Sequence, residues 1–126
     1  MLGSFQQSNL RIEVNASEQL IKSSLLESDR LKQWMWPQNF TSLSDNLNSG
    51  DTFISSLGIV QIEHQVELID DHSLRLLLSK GIDGFHEWHW GDGWLQSRVE
   101  GISLLPLNLG QTLSLFRLRQ YLANLS

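Results

Sequence analysis

The chain has 126 residues, a formal net charge of −5 and no cysteine, and this length fits one compact domain over residues 1–126. The lack of cysteine excludes disulfide scaffolds, zinc fingers, iron–sulfur centres and thiol nucleophiles. The acidic balance argues against a protein that binds nucleic acid through its phosphates, and no apolar run approaches the ~20 residues of a membrane-spanning helix.

A strand is the first element predicted along the chain. Residues Met1–Asn9 are polar and lack the basic start and apolar run of a secretory signal, so we expect a cytoplasmic protein. Leu10, Ile12 and Val14 then alternate with polar residues, which is the period of a half-buried strand.

Two short helices are predicted next. The segment Glu18–Glu27 carries apolar residues at helical spacing. Its N-cap is either Ser17 or Asn15, the latter in a capping box with the glutamate three residues on. Ser28 offers a second N-cap, for a helix over Asp29–Trp34 that ends before a proline.

The middle of the chain, from residue 38 to about residue 103, predicts about six strands joined by tight turns. The turn signals are Asn48–Asp51, Asp70–His72, Asp83-Gly84 and Gly91–Gly93. The clearest strand covers Ile59–Ile69, and its apolar face consists of Val60, Ile62, His64, Val66 and Leu68. The later strands are Ser73–Ile82, Phe85–Trp90 and Trp94–Leu104. Such a succession predicts an antiparallel meander.

The dipeptide Asp92-Gly93 is a strong signal for a two-residue hairpin turn. It predicts four facing pairs, which are Trp90 with Leu95, Trp88 with Ser97, His86 with Val99, and Glu87 with Arg98. His86, Trp88 and Trp90 then lie on the concave face of the sheet. The charged pair lies on the exposed convex face.

The strand before this hairpin raises a conflict of register. If Asp83-Gly84 is a tight turn, the leucines at the even positions of Ser73–Ile82 fall on the same face as Glu87. Either a bulge beside Gly81 restores the register or the two faces are inverted. The glycine favours the bulge.

A long helix is predicted at the end of the chain. Asn108, with Gln111 three residues on, indicates its start, and it runs to about Leu125. Its apolar residues form two stripes, one of Leu109, Leu113 and Phe116 and one of Leu115, Leu118, Leu122 and Leu125. So wide an arc can cover the sheet and also contact either the short helices or a second copy of the chain, and the second alternative would be a homodimer through this helix.

Several loose motifs accompany this order of elements. They are Ile12-x-Val14-x-Ala16-Ser17-Glu18, Leu20, Leu25-Leu26, Trp34 and the segment Ile82–Gly93. From roughly Asn9 to Leu125 the chain resembles the START-like, Bet v 1-like superfamily, also called the polyketide cyclase/dehydrase or SRPBCC group, and in particular its small uncharacterised members. The resemblance implies an α+β helix-grip fold, β-α-α-β6-α. In this fold a curved antiparallel sheet surrounds a long C-terminal helix that closes a deep apolar cavity.

The segment His86-Glu87-Trp88-His89-Trp90 invites comparison with a metal site. On a strand, residues three apart project to opposite faces, so His86 and His89 cannot chelate one ion. It also differs from the helical zinc motif, in which two histidines share a face. We therefore expect no metal and no cofactor.

His64 is the only polar residue on the apolar face of its strand. It is either a core histidine with its hydrogen bonds satisfied or a polar anchor for a ligand in a cavity. General acid–base chemistry would require a reacting proton within hydrogen-bond reach. No motif of the superfamily's enzymes matches this chain, so we assign no catalytic residue.

These observations predict a protein that binds or transports a hydrophobic small molecule, such as a lipid, an isoprenoid, a quinone or a polyketide-like aromatic, in an internal cavity. The predicted walls are Phe53, Ile62, Leu76, Trp88 and Phe116, and the predicted polar anchors are His64 and His86. Two alternatives stay open. One is a cyclase, dehydratase or aromatase that uses a cavity histidine, and the other is a non-catalytic dimeric interaction protein whose cavity is filled.

Overall fold

The computed structural model describes residues 3–125, which form one seven-stranded sheet and three helices. In chain order the elements are β1 (Ser4–Glu13), α1 (Glu18–Leu26), α2 (Ser28–Trp34), β2 (Asn39–Thr41), β3 (Thr52–Leu57), β4 (Val60–Ile69), β5 (Ser73–Lys80), β6 (Asp83–Gly91), β7 (Trp94–Ser103) and α3 (Leu107–Leu125). This order confirms the predicted α+β helix-grip arrangement, β-α-α-β6-α.

The sheet is antiparallel, and its strands follow the order β1-β7-β6-β5-β4-β3-β2. The last helix packs against β1, β7 and α2. Its buried stripe consists of Leu107, Gln111, Leu115, Leu118 and Leu122. Within residues 3–125, no helix combines the length and the hydropathy that crossing a bilayer would require.

The hairpin of β6 and β7 forms as the sequence predicts. All four predicted pairs occur, and Gly93 has a φ of 79°, which glycine adopts without strain. The turn also holds α1 in place, because Asp92 Oδ1 accepts a hydrogen bond of 2.8 Å from the backbone N–H of Glu18.

The predicted tight turn at Asp83-Gly84 is wrong, because both residues belong to β6. The chain reverses earlier, where Lys80 has a φ of 72° beside Gly81. Leu74, Leu76 and Leu78 therefore pair with Trp88, His86 and Gly84 on the concave face. Gly84 serves a close approach and not a turn, since a Cβ there would lie 1.9 Å from the backbone oxygen of Glu100 on β7.

A bulge interrupts β4 between Val66 and Leu68, where the pairing with β5 shifts by one residue. An extra residue in one strand reverses the inward and outward alternation beyond it. Leu68 is 51% exposed as a result, so its predicted place on the apolar face is wrong. His64 and Val66, which precede the bulge, are buried.

The first two helices begin in different ways. Ser17 caps α1, because its Oγ accepts a hydrogen bond of 3.2 Å from the backbone N–H of Leu20. The predicted cap at Ser28 is wrong. Ser28 is instead the first residue of α2 and is buried, and Glu27 before it makes no side-chain cap.

The predicted capping box at Asn108 and Gln111 is also wrong. The last helix begins at Leu107, whose backbone N–H donates a 3.0 Å hydrogen bond to Oε1 of Gln6 on β1. Asn108 instead donates to Oγ of Ser8, 2.8 Å away. A helix start that depends on residues of the first strand leaves no local sequence signal.

Candidate functional site: an apolar cavity under the last helix

A cavity of about 200 Å³ lies between the concave face of the sheet and the helices α2 and α3. Six of the seven predicted ligand-contacting residues line it, namely Phe53, Ile62, His64, Leu76, His86 and Trp88. Protein interiors are otherwise close-packed. A mostly apolar space of this size with a few polar groups is therefore the candidate binding site.

Phe116, the seventh predicted ligand-contacting residue, does not line the cavity. Its side chain is 58% exposed on the outer face of α3, beside Leu109 and Leu113 of the same stripe. The helix turns its other stripe, which includes Leu115 and Leu118, toward the core. Both stripes are apolar, so the sequence did not indicate which of them faces the sheet.

The two inward-facing histidines lie on either side of β5. His64 on β4 pairs with Leu78, and His86 on β6 pairs with Leu76. Since both partners point to the concave face, both imidazoles do so as well. His64 is only 8% exposed, and His86 is half-buried.

His64 is held by one aromatic ring and one hydroxyl of β3. Its imidazole stacks on Phe53, with ring centroids 4.6 Å apart and an interplanar angle of 7°. Its Nε2 lies 2.8 Å from Oγ of Ser55. Its Nδ1 is buried and has no hydrogen-bond partner within the part of the chain that the structure describes.

Gln111 reaches from α3 to the sheet. Its Nε2 donates a 2.8 Å hydrogen bond to the backbone oxygen of Ser97 and another of 3.0 Å to Ser97 Oγ. A carbonyl oxygen only accepts, so the group facing it must be the amide NH₂. The amide oxygen Oε1 is then turned away from Ser97, and it too is buried without a partner among residues 3–125.

The same hydroxyl contacts His86. Oγ of Ser97 accepts from Gln111 and lies 2.6 Å from Nε2 of His86. The hydroxyl can donate to Nε2, which leaves the ring proton on Nδ1, or it can accept from Nε2–H. A chain of hydrogen bonds thus joins α3, β7 and β6 at the wall of the cavity.

Both imidazoles are neutral at pH 7. Burial lowers the pKa of His64 from 6.5 to about 4. Burial, with a further contribution from the neighbouring His64, lowers the pKa of His86 to about 3. Among the described residues, no Asp, Glu, Lys or Arg lines the cavity. The site therefore contains polar groups but no charge.

Two tryptophans form a rigid apolar wall. The indole of Trp34 on α2 meets that of Trp88 edge to face, with centroids 6.2 Å apart. Its Nε1 donates a 2.8 Å hydrogen bond to the backbone oxygen of Ser24, which fixes the ring. The ring of Trp88 also lies 4.6 Å from that of His86, so the polar and aromatic parts of the wall are continuous.

The cavity reaches the protein surface beside the first turns of α3. Pro106, Gly110 and Ser114 line it at intervals of four residues, which places them on one helix face. Pro106 and Gly110 are exposed, and a Cβ added at Gly110 would meet nothing within 4 Å. A glycine inside a helix costs about 1 kcal/mol relative to alanine, and here it leaves the space beside α3 free of a side chain.

The two histidines of the β6 segment lie on opposite faces of the sheet. His89 is exposed on the convex face, opposite to His86, as strand geometry requires. Within residues 3–125, no three histidine, aspartate or glutamate side chains are grouped so as to hold a metal ion.

Sequence reasoning missed the polar groups that position the histidines. Gln111 carried a readable signal, because it is the one polar residue in the buried stripe of α3. Ser55 and Ser97 carried none, since their contacts with His64 and His86 depend on the register of the sheet.

Comparisons with known proteins show the fold alone. No protein-family model matches the sequence, and no curated protein is similar to it. The Aha1 dimer from Colwellia psychrerythraea is 17% identical with a TM-score of 0.68, over 93% of this chain and 96% of that chain. Protein MLL2253 from Mesorhizobium loti is 11% identical with a TM-score of 0.73, over 96% and 99% of the two chains.

A third similar structure belongs to a longer protein. DynU16, from the dynemicin biosynthetic locus, is 16% identical with a TM-score of 0.71, over 93% of this chain and 47% of that one. The TM-scores show that the chain shares the helix-grip fold with these proteins, and identities this low carry over nothing beyond the fold.

Proposed function

We propose that the chain binds a small, mostly apolar molecule in the cavity under α3. The observation that carries the proposal is an apolar space of about 200 Å³ in the core that no side chain fills. His64 and Gln111, which line this space, each also have a buried atom that lacks a hydrogen-bond partner within residues 3–125. Buried polar groups are almost always paired in folded proteins, so a bound molecule accounts for both features.

The volume favours a compact ligand. An apolar cavity of about 150 Å³ accommodates benzene, so about 200 Å³ suits one substituted ring or a short branched chain. A longer lipid, isoprenoid or quinone would extend through the opening beside Gly110.

We also infer that the chain is a small member of the START-like superfamily. The order of its elements and the long helix over a curved sheet support this inference. The similarity to DynU16, a protein of a biosynthetic locus, is compatible with a ligand of the polyketide type. None of the similar structures carries an activity over to this chain.

The test begins with protein purified from its native host and analysed by native mass spectrometry. We expect one small molecule per chain, released on denaturation. The variant Gly110→Leu fills the space beside α3, where an added Cβ meets nothing within 4 Å, and should be isolated empty. The matched control Gly110→Ala adds one methyl group and should keep the ligand. An unoccupied wild-type protein that also binds no apolar probe contradicts the proposal.

A second candidate function, assembly into a dimer, is favoured by the outer face of α3. Leu109, Leu113 and Phe116 on this face are between 51% and 58% exposed, and exposed apolar patches often mark interfaces. We expect Leu113→Glu to convert a dimer into a monomer in sedimentation velocity, and the neighbouring Thr112→Glu to leave it intact. A wild-type monomer at micromolar concentration contradicts this candidate.

A further inference from the structure

We propose that the cavity selects an uncharged ligand that carries a hydroxyl group, and that it rejects carboxylates of the same size. This inference rests on the proposed function, because it specifies the polar end of the ligand held under α3. Gln111, His64 and His86 are the residues that recognise the hydroxyl.

Gln111 Oε1 requires a hydrogen-bond donor. Its amide orientation is fixed by the backbone oxygen of Ser97, to which Nε2 donates at 2.8 Å. A second carbonyl oxygen, that of Ser8, lies 3.3 Å from the same nitrogen. Oε1 is therefore an acceptor without a partner in the described chain, on a side chain that is only 5% exposed and lines the cavity.

His64, which lines the same cavity, has a second unpaired atom. Its Nδ1 has no partner among residues 3–125, and its ring is fixed by Phe53 and Ser55. Whether Nδ1 carries the proton depends on which way the hydrogen bond to Ser55 runs. A hydroxyl satisfies either case, because it can both donate and accept.

His86 lies at the same end of the cavity as Gln111. Both side chains contact the single oxygen Ser97 Oγ, at 2.6 Å from His86 and 3.0 Å from Gln111. Nδ1 of His86 is a donor if Ser97 Oγ donates to Nε2, and an acceptor if Nε2 donates to Ser97 Oγ. Gln111 Oε1 only accepts, whereas each imidazole nitrogen can donate or accept. A hydroxyl therefore complements the three residues in every case, and a ketone or an ether cannot donate to Oε1.

The lining also disfavours an anionic ligand. A buried carboxylate requires a cation or several donors, and no Lys or Arg among the described residues lines this cavity. Both histidines are neutral at pH 7 and so provide no positive charge. The unpaired Oε1 of Gln111 would in addition face a carboxylate oxygen, acceptor against acceptor.

Trp90 Nε1, the remaining buried atom without a partner in residues 3–125, plays no part in this site. Trp90 does not line the cavity.

Four one-ring probes of matched shape test the inference on the wild-type protein by isothermal titration calorimetry. They are p-cresol, 4-methylanisole, p-xylene and 4-methylbenzoate. We expect p-cresol to bind about tenfold more tightly than 4-methylanisole and p-xylene, since one hydrogen bond to a buried acceptor has about this effect. We expect no measurable binding of 4-methylbenzoate at pH 7.

A pair of variants assigns the selectivity to its residue. Gln111→Met keeps the length of the side chain and removes both polar atoms, so the preference for p-cresol over p-xylene should fall severalfold. Gln38→Met changes the other glutamine of the lining and should keep the preference for p-cresol.

The outcomes separate this inference from the proposed function. If p-xylene binds the wild-type protein as tightly as p-cresol, or if 4-methylbenzoate binds best, the inference is overturned and the cavity is still a binding site. If none of the four probes binds, the proposed function fails and this inference fails with it. The wild-type series decides these cases even if Gln111→Met does not fold.

Discussion

Strands β5 and β6 carry opposite chemistry on their two faces. On the convex face, Arg75 makes ion pairs of 2.8 Å with both Glu67 and Glu87, and its guanidinium lies 4.2 Å from the ring centre of Phe85. On the concave face of the same strands, His86 is the polar residue, neutral and bonded to the hydroxyl of Ser97.

The difference follows from how far solvent reaches the two faces. Charges are tolerated on the convex face because solvent and paired partners stabilise them. A charge on the concave face would lose its hydration, and no partner there would offset that desolvation penalty. The polar groups on this face are therefore neutral. Under our proposal, those that lack partners in the described chain are the groups to which a ligand would bond.

The largest expected effect on the difference between the two faces is a loss of stability in acid. Both concave-face histidines have folded pKa values below the ordinary value of 6.5, so the unfolded state takes up protons first as the pH falls. Above pH 6.5 the two histidines cost the folded protein no stability. As the pH falls below 6.5, protonation of the unfolded state lowers the free energy of unfolding, and the loss is complete once the pH has passed the folded pKa of about 4 for His64 and about 3 for His86. The loss from His64 alone reaches about 3 kcal/mol.

Denaturant unfolding between about pH 7 and about pH 4 measures this loss. Other groups also titrate in acid, so the variants carry the test. His64→Asn and His86→Asn should each reduce the dependence of stability on pH, whereas His89→Asn, on the convex face of β6, should leave it unchanged. If none of these variants alters the fall in the free energy of unfolding at low pH, the concave-face histidines are not the cause of that fall.

Truncating one leucine on each face compares how tightly the two faces of β5 are packed. Leu76 is 5% exposed on the concave face, and Leu77 is half-buried on the convex face. We expect Leu76→Ala to lower the free energy of unfolding by about 3 kcal/mol and Leu77→Ala by about 1 kcal/mol or less. Urea unfolding measures both, and equal losses would mean that the two faces are packed alike.

The smallest effect is expected from the convex-face ion pairs. Glu87→Gln removes one carboxylate charge from the pair with Arg75, whose side chain is 30% exposed. We expect a loss of about 1 kcal/mol or less that shrinks at high salt. Glu67→Gln, in the more exposed pair, should cost less still. A loss of several kcal/mol in either variant would show that this face is not governed by solvent as we describe.

Local patterns predicted much of the fold and part of the site. The Asp92-Gly93 turn gave the register of β6 and β7, and alternation along β4 placed His64 inside. These signals suffice because turn chemistry and a period of two act within a few residues.

The remainder depended on contacts between distant parts of the chain. The bulge in β4 places Leu68 on the outer face. The outward position of Phe116 could not be predicted, because the two stripes on α3 are equally apolar. Gln111 looked like part of a local capping box, but it contacts Ser97 of β7 and Ser8 of β1. Such roles follow from tertiary register, which no short window of sequence contains.

The most direct test of the account is a titration of p-cresol into the labelled protein, followed by NMR. We predict saturable binding of one molecule per chain that shifts the side-chain signals of His64, His86 and Gln111, and the loss of this binding in Gly110→Leu. The absence of saturable binding, or shifts confined to the outer face of α3 around Leu113 and Phe116, would contradict the claim that the cavity is the functional site.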